Sequence, residues 1–226
     1  MGEAEEVPDQ KPDANSDAQR QGNIRSPPHP RSLERLRAGV RLFPRLMRGM
    51  QPRVVLVEGT SDRRTLEALA RRLGCDLDAE GVAIVPMGGY GNLPRLLGHY
   101  RGVRLAGLYD VGEERHFLRA LGCSDRAELE RAGFYACMRD LEDELTRAVG
   151  PDGLERVLAE QGELRAFRIY QKQPAHRARP LEEQLHGFMW NRKQKYAVLL
   201  VEALDLERVP RPLERVLAHV SRSALY

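Results

Sequence analysis

The amino-acid sequence predicts an α/β fold, in which a parallel sheet is flanked by helices and followed by a mainly helical C-terminal extension. The first observation is a set of short apolar runs, typical of strands buried on both faces: Arg53–Val57, Val82–Val85 and Val103–Tyr109. The second is that segments of helical periodicity separate these runs. Strands that alternate with helices at this spacing indicate a parallel sheet with crossover connections.

Two N-terminal segments precede the predicted globular part, residues 51–226. Residues 1–30 are rich in polar residues and proline and have few large apolar side chains, which predicts a disordered tail. Residues 31–50 combine apolar side chains at helical spacing with many arginines, which predicts a basic amphipathic helical segment. Either its arginines are solvated while the apolar face packs on the domain, or they contact nucleic acid, with Arg41, Arg45 and Arg48 as the candidates.

The predicted helices of the globular part are identified by apolar residues that recur on one stripe. The first stripe runs from Leu66 to Leu73 and should end at Gly74, and a second helix is expected over Leu93–Tyr100. Residues Phe167–Gln171 are interpreted as a further strand. Three more helices are predicted in the C-terminal part: Leu181–Met189, Lys195–Leu204 and Leu213–Val220.

The composition is that of one globular domain with a tail. The chain has 226 residues, 42% of them hydrophobic, and a formal net charge of only +3, so there is no overwhelming basic field. Its three cysteines lack the spacing of a zinc site or a disulfide framework. No apolar run approaches the ~20 residues of a membrane span, and the N-terminus does not resemble a signal peptide. We expect a cytoplasmic protein without a membrane partner.

Acidic residues and a glycine turn follow the predicted strands directly. Glu58 follows the first strand, Gly88–Gly91 follows the second, and Asp110 follows the third. Because the carboxyl ends of parallel strands meet at one edge of the sheet, these residues should converge there. Asp62, four residues after Glu58, can point back to the same place from the first helical turn. Carboxylates gathered in this way favour hard divalent cations, which predicts a Mg²⁺ or Mn²⁺ site.

Five segments together resemble the TOPRIM domain of OLD-family nucleases. Val57–Asp62 is similar to the glutamate motif of that family, Val85–Gly89 to its glycine turn and Leu108–Asp110 to the start of its DxD motif. Asp140–Glu144 resembles an acidic segment that supplies a further metal ligand, and Lys193 resembles a late catalytic lysine. The resemblance covers about Val54 to Val220, and it implies a TOPRIM (Rossmann-like) fold.

The resemblance implies metal-dependent cleavage or transfer at DNA phosphodiesters, with Mg²⁺ or Mn²⁺ as cofactor and DNA as partner. The residues it assigns to catalysis are Glu58 and Lys193, the latter steadying the charge of the transition state. The implied metal ligands are Glu58, Asp62, Asp110 and Glu142, and Glu113 is a further candidate ligand that the resemblance itself does not supply. The backbone turns at the site are assigned to Gly59, Gly88 and Gly89.

The sequence departs from the family pattern at two points. Gly112 stands where the DxD motif has its second aspartate, and Glu113 or Glu114 is the candidate replacement. OLD nucleases also carry an N-terminal ATPase, whereas this sequence contains no GxxxxGK[ST] loop. The resemblance therefore implies a stand-alone TOPRIM domain, whose ATPase, if it uses one, is a partner protein acting in trans.

Alternatives remain open at the level of residues and of function. Asp62 could simply favour a helix N-terminus, Glu142 could be a solvated acid opposite a core stripe, and Lys193 could belong to a basic helix start. The whole chain could be a catalytically weakened TOPRIM module that binds nucleic acid or an ATPase partner. A third possibility makes the glycine turn a nucleotide or small-phosphate site.

Overall fold

The computed structural model describes residues 52–190 and 192–221. The predicted tail 1–30 and the predicted basic segment 31–50, with Arg41, Arg45 and Arg48, lie outside the described residues. In the described part of the chain, every helix is too short or too polar to cross a membrane.

The sheet has four parallel strands in the order β2-β1-β3-β4. Its strands are β1 (Arg53–Val57), β2 (Val82–Pro86), β3 (Arg104–Asp110) and β4 (Phe134–Cys137). The first three confirm the sequence-based prediction to within one residue at each end. The fourth was not predicted, and it extends the sheet on the far side of β3. The predicted parallel α/β architecture is thus confirmed.

Helices connect and cover the strands. They are α1 (Thr60–Arg72), α2 (Leu93–His99), α3 (Glu114–Leu121), α4 (Arg126–Arg131), α5 (Leu141–Glu160), α6 (Leu164–Gln171), α7 (Leu181–Trp190), α8 (Lys193–Ala203) and α9 (Arg211–Val220). The last three confirm the predicted helical extension.

The prediction of a strand at residues 167–171 is wrong, because this segment belongs to helix α6. Phe167 is completely buried whereas Ile169, two residues later, is 59% exposed. Side chains two apart share a face in a strand, whereas those three or four apart share one in a helix. Accordingly, Phe167 stacks with Tyr170 at a centroid distance of 6.4 Å.

Both faces of the sheet are buried, as the uninterrupted apolar strands require. On one face, Val55 and Leu108 belong to the main apolar core with side chains of α1, α5, α7, α8 and α9. On the other face, Phe117 of α3 stacks on Tyr109 and packs against Phe134, at centroid distances of 4.7 and 6.0 Å. With both faces covered by helices, the edge at the strand ends is left for a site.

Gly107 allows β1, β3 and β4 to approach closely at the centre of the sheet. A Cβ atom at this position would lie 2.8 Å from the Leu56 carbonyl oxygen and 2.8 Å from a ring carbon of Phe134. Real Cβ atoms essentially never come this close to other atoms, so the packing requires glycine. Glu58 directly follows β1 and Asp110 ends β3, so both acids lie at the ends of these closely packed strands.

Candidate metal centre

Acidic residues lie at the carboxyl ends of three neighbouring strands. Glu58 follows β1, Asp110 is the last residue of β3, and Asp140 lies three residues beyond the end of β4. Since β3 pairs with both β1 and β4 in parallel, these three acids share one edge of the sheet. The predicted convergence of Glu58 and Asp110 is therefore found, and the unpredicted strand β4 adds Asp140.

The electrostatics of Asp110 show how closely the acids gather. The pKa of its carboxyl is raised from 3.8 to about 8, chiefly because burial disfavours its charged form. Further contributions come from four carboxylates, in decreasing order Glu58, Glu113, Asp140 and Asp62. Asp110 thus belongs to a cluster of five acids, the acid cluster, and its raised pKa favours the protonated form near neutral pH.

Asp62 is held toward the start of α1. It is buried, and its Oδ2 atom accepts a hydrogen bond of 2.8 Å from the backbone N–H of Gly59. The Ser61 hydroxyl lies 3.4 Å from its Oδ1 atom. This hydrogen bond joins Asp62, a predicted metal ligand, to Gly59, a predicted backbone turn. It also combines the capping role and the site position that the sequence analysis treated as alternatives.

The structure distinguishes the two glutamates proposed to replace the missing aspartate at Gly112. Glu113 ends a 3-10 turn that follows β3, and its carboxyl has a pKa raised to about 7 by burial and by the charge of Glu58. Glu114 instead accepts hydrogen bonds from Arg126 at 2.6 Å and from the Tyr109 hydroxyl at 3.3 Å. Glu113 is therefore the acid that joins the cluster.

Asp140 is the site residue that the sequence analysis did not select. It is buried and caps α5, accepting a hydrogen bond of 2.7 Å from the backbone N–H of Asp143. Its Oδ2 atom lies 3.3 Å from Nε2 of the buried His186 on α7. The signal that could have identified it is the apolar run Phe134–Cys137, which makes Asp140 another acid after a strand.

The other acids of the same segment occupy the first turn of α5. Glu142, the predicted ligand, is buried there. Glu144 accepts a hydrogen bond of 2.8 Å from the backbone N–H of Met138 and lies 2.9 Å from the Arg147 guanidinium. Among the acids of this segment, Asp140 is the one whose charge raises the pKa of Asp110.

The glycine turn after β2 is tied to the end of β1. Gly88 and Gly89 have positive φ angles of 71° and 104°, which glycine adopts readily. The backbone N–H of Gly88 donates a hydrogen bond of 2.9 Å to the Glu58 carbonyl oxygen. The predicted turn thus borders the acid cluster directly.

Two further observations concern the predicted lysine and the grouping of possible metal ligands. Lys193 is the first residue of α8, and its side chain lies outside the described part of the structure. Within residues 52–190 and 192–221, the His, Cys, Asp and Glu side chains form no ready-made group of three that could hold a metal ion.

Comparisons with known proteins agree with this fold. Residues 52–106 match the family model described as "Overcoming lysogenization defect protein-like, TOPRIM domain". This match includes Glu58, Asp62 and the glycine turn, and it ends before Asp110. A search of curated proteins gave no match.

Solved structures extend the comparison over most of the chain. The C-terminal region of the Burkholderia pseudomallei OLD protein superposes with a TM-score of 0.60 at 18% identity, covering 78% of this chain and 99% of that one. The C-terminal region of the Xanthomonas campestris pv. campestris OLD protein gives a TM-score of 0.59 at 21% identity, with coverages of 75% and 92%. The described chain therefore has a TOPRIM fold. More particularly, residues 52–106 are similar to the OLD-like TOPRIM family model.

Proposed function

We propose that this protein is a metal-dependent nuclease, in which the acid cluster at the sheet edge holds Mg²⁺ or Mn²⁺ against a DNA phosphodiester. The observation that carries the proposal is the convergence of Glu58, Asp110 and Asp140 at the carboxyl ends of three neighbouring strands. The raised pKa of Asp110, to which the charges of four other carboxylates contribute, supports it. Carboxylates that repel one another are costly to hold together unless a cation neutralises them. Strongly perturbed acids of this kind are typical of functional sites.

The residues fit a hard divalent cation by their donor chemistry. Carboxylate oxygens are the ligands that Mg²⁺ and Mn²⁺ prefer, whereas softer metals favour thiolate or imidazole. Cys137, the nearest thiol, is buried, and its pKa is raised well above its ordinary value by burial and by the surrounding carboxylates. A thiol held protonated in this way is a poor metal ligand.

The acids of the cluster would together bind the metal ions of the proposed reaction. Glu58, Asp62, Asp110 and Glu113 would hold the ions, with Asp140 as an additional ligand or a hydrogen-bond acceptor at the site. Bound divalent ions activate water and stabilise the leaving oxygen in phosphodiester cleavage.

The neighbours of these acids hold them in place. The Gly59 N–H orients Asp62, and the Asp143 N–H together with His186 orients Asp140. Glu142 remains a further candidate ligand. From the family resemblance, Lys193 would stabilise the negative charge that develops on the phosphate. From the basic pattern of residues 31–50, Arg41, Arg45 and Arg48 would contact the nucleic acid.

The proposal is tested by nicking of a supercoiled plasmid in Mg²⁺ or Mn²⁺. Glu58→Ala and Asp110→Asn should each abolish nicking, because each removes a central carboxylate. The matched control is Glu67→Gln, which removes an acid from α1 that pairs with Arg63 at 2.7 Å. Nicking that persists in both site variants, or that disappears equally in the control, would contradict the proposal.

A second candidate function is a TOPRIM module that binds nucleic acid or an ATPase partner without cleaving DNA. Gly112 favours this alternative because it lacks the carboxylate of the DxD motif, and a Cβ atom there would meet nothing within 4 Å. Such a module would bind DNA with an affinity that falls steeply as salt rises, yet leave plasmid intact. A flat salt response together with an intact plasmid would indicate a protein partner.

A further inference from the structure

Two aromatic side chains stack on each other beside the acid cluster. The rings of Tyr90 and His116 have centroids 4.3 Å apart and planes inclined by 25°. Tyr90 follows the glycine turn after β2, and His116 lies in the first turn of α3 after β3. Because β1 lies between β2 and β3 in the sheet, the pair joins the loops on either side of Glu58.

This pair remains accessible although it is large and partly apolar. Tyr90 is 40% exposed and is one of few large hydrophobic residues of the described chain with such exposure. Part of the tyrosine side chain is consequently open to a ligand.

Cationic side chains lie beside the aromatic pair. Arg115 is exposed, and its Nε atom is 3.4 Å from Nε2 of His116. Arg95 is also exposed, and its guanidinium is 3.5 Å from the side-chain oxygen of Asn92 in the turn that contains Tyr90. Aromatic rings that stack bases, flanked by cations that attract phosphates, are typical of surfaces that bind single-stranded nucleic acid.

From this arrangement we infer that Tyr90 and His116 form a stacking platform for an unpaired nucleobase, so that the substrate strand is single-stranded or locally unpaired near the acid cluster. The inference rests on the proposed function, because it names the substrate class of that site. In an intact duplex the bases are stacked inside the helix, and their faces are not available to a protein ring. A platform of this kind therefore favours a single strand over the duplex.

The platform is tested by fluorescence anisotropy with a labelled DNA strand of about 12 nucleotides, close to the site size of other single-strand binders. The strand is offered alone, as a duplex, and with abasic sites that keep the phosphates. EDTA prevents metal-dependent cleavage during the measurement. The expected result is that the wild-type protein binds the intact strand about tenfold or more tightly than the abasic strand.

Variants assign this difference to the platform. Tyr90→Ala should weaken binding of the intact strand about tenfold or more and leave duplex binding nearly unchanged, whereas Tyr90→Phe should retain the affinity. Ile169→Ala is the matched control, because it removes an exposed apolar side chain from α6. Equal affinity for intact and abasic strands, or equal loss of strand and duplex binding in Tyr90→Ala, would overturn the inference. Competition by a mononucleotide as strong as by the strand would also overturn it.

The stacking platform and the proposed nuclease can be refuted independently of each other. Base-dependent binding without plasmid nicking would support the platform and contradict the proposed nuclease. Nicking that depends on Glu58, together with binding that is indifferent to bases, would support the nuclease and overturn the platform. The comparison of intact and abasic strands uses the unaltered protein, so it remains decisive even if Tyr90→Ala fails to fold.

Discussion

Replacing Asp110 with asparagine should stabilise the metal-free protein at neutral pH. The substitution keeps the shape of the side chain and removes the group that titrates at the centre of the acid cluster. In the folded state the pKa of this carboxyl is raised to about 8, against 3.8 for an ordinary aspartate. Between these values the folded chain holds a proton that the unfolded chain has released. The free energy of unfolding therefore falls as the pH rises from about 4 to about 8.

The magnitude follows from the separation of the two pKa values. At pH 7 the carboxyl is about three pH units above its ordinary pKa, and each unit corresponds to ~1.4 kcal/mol. Asp110→Asn should therefore raise the free energy of unfolding at pH 7 by up to about 4 kcal/mol. For a chain of this size, that corresponds to a rise in Tm of about 10 °C. At pH 4 the difference should nearly vanish.

The assay is thermal unfolding in EDTA at pH 4 to 8, with Glu67→Gln as the matched control for removal of an acid outside the cluster. Addition of Mn²⁺ should reverse the order, since the wild-type protein gains more from binding the cation than the variant does. An Asp110→Asn protein that is no more stable than the wild type at pH 7 in EDTA would refute the reasoning. So would a stabilisation that is equal at pH 4 and pH 7.

Three further predictions follow from the packing and from the site. Gly112→Asp should tighten Mn²⁺ binding on the order of tenfold in calorimetry and speed nicking, because it adds a carboxylate where space is open. Gly107→Ala should lower the free energy of unfolding by about 1–3 kcal/mol in urea titrations, whereas Gly98→Ala, in an open part of α2, should raise it by about 0.5–1 kcal/mol. Burial and two nearby arginines lower the pKa of His219 below 6.5. As the pH falls below about 6.5, the unfolded chain therefore binds a proton at this position before the folded chain does, and the free energy of unfolding should fall. His219→Phe should abolish this fall, as measured by Tm.

Each of these predictions has an outcome that contradicts it. Unchanged Mn²⁺ affinity in Gly112→Asp would mean that this position does not face the cation. Similar stabilities of the Gly107→Ala and Gly98→Ala proteins would contradict the close approach of the three strands. For His219→Phe, a loss of stability between pH 7.5 and pH 5.5 as large as in the wild type would assign that loss to other groups.

The sheet and the central acids could be predicted because their signals are local in the sequence. The run Val54–Val57 is apolar at every position, and such a run followed by an acid is typical of a strand buried on both faces. Parallel pairing then places the residues after β1 and β3 at one edge without further information. The sequence accordingly predicts that Glu58 and Asp110 lie at the same edge of the sheet.

The parts that were missed depend on packing between distant segments. Strand β4 has only four residues, and its identity as a strand comes from pairing with β3 rather than from its own pattern. Residues 167–171 have a β-like composition, but burial of Phe167 against Phe188 of α7, at a centroid distance of 5.3 Å, favours the helix. Tertiary contacts of this kind override local propensity, and no single-segment pattern contains them.

The replacement at Gly112 shows how the loop after β3 can preserve the charge of the site while changing its geometry. A 3-10 turn follows the strand, and it brings Glu113 to the cluster although the position before it has no side chain. In the proposed metal site, the longer glutamate would compensate in reach for its shift by one residue, and Asp140 would contribute a further carboxylate from the loop after β4. The negative charge offered to a cation would then be maintained, with ligands that come from different backbone positions. Gly112→Asp separates these two effects, because it restores the position without removing Glu113.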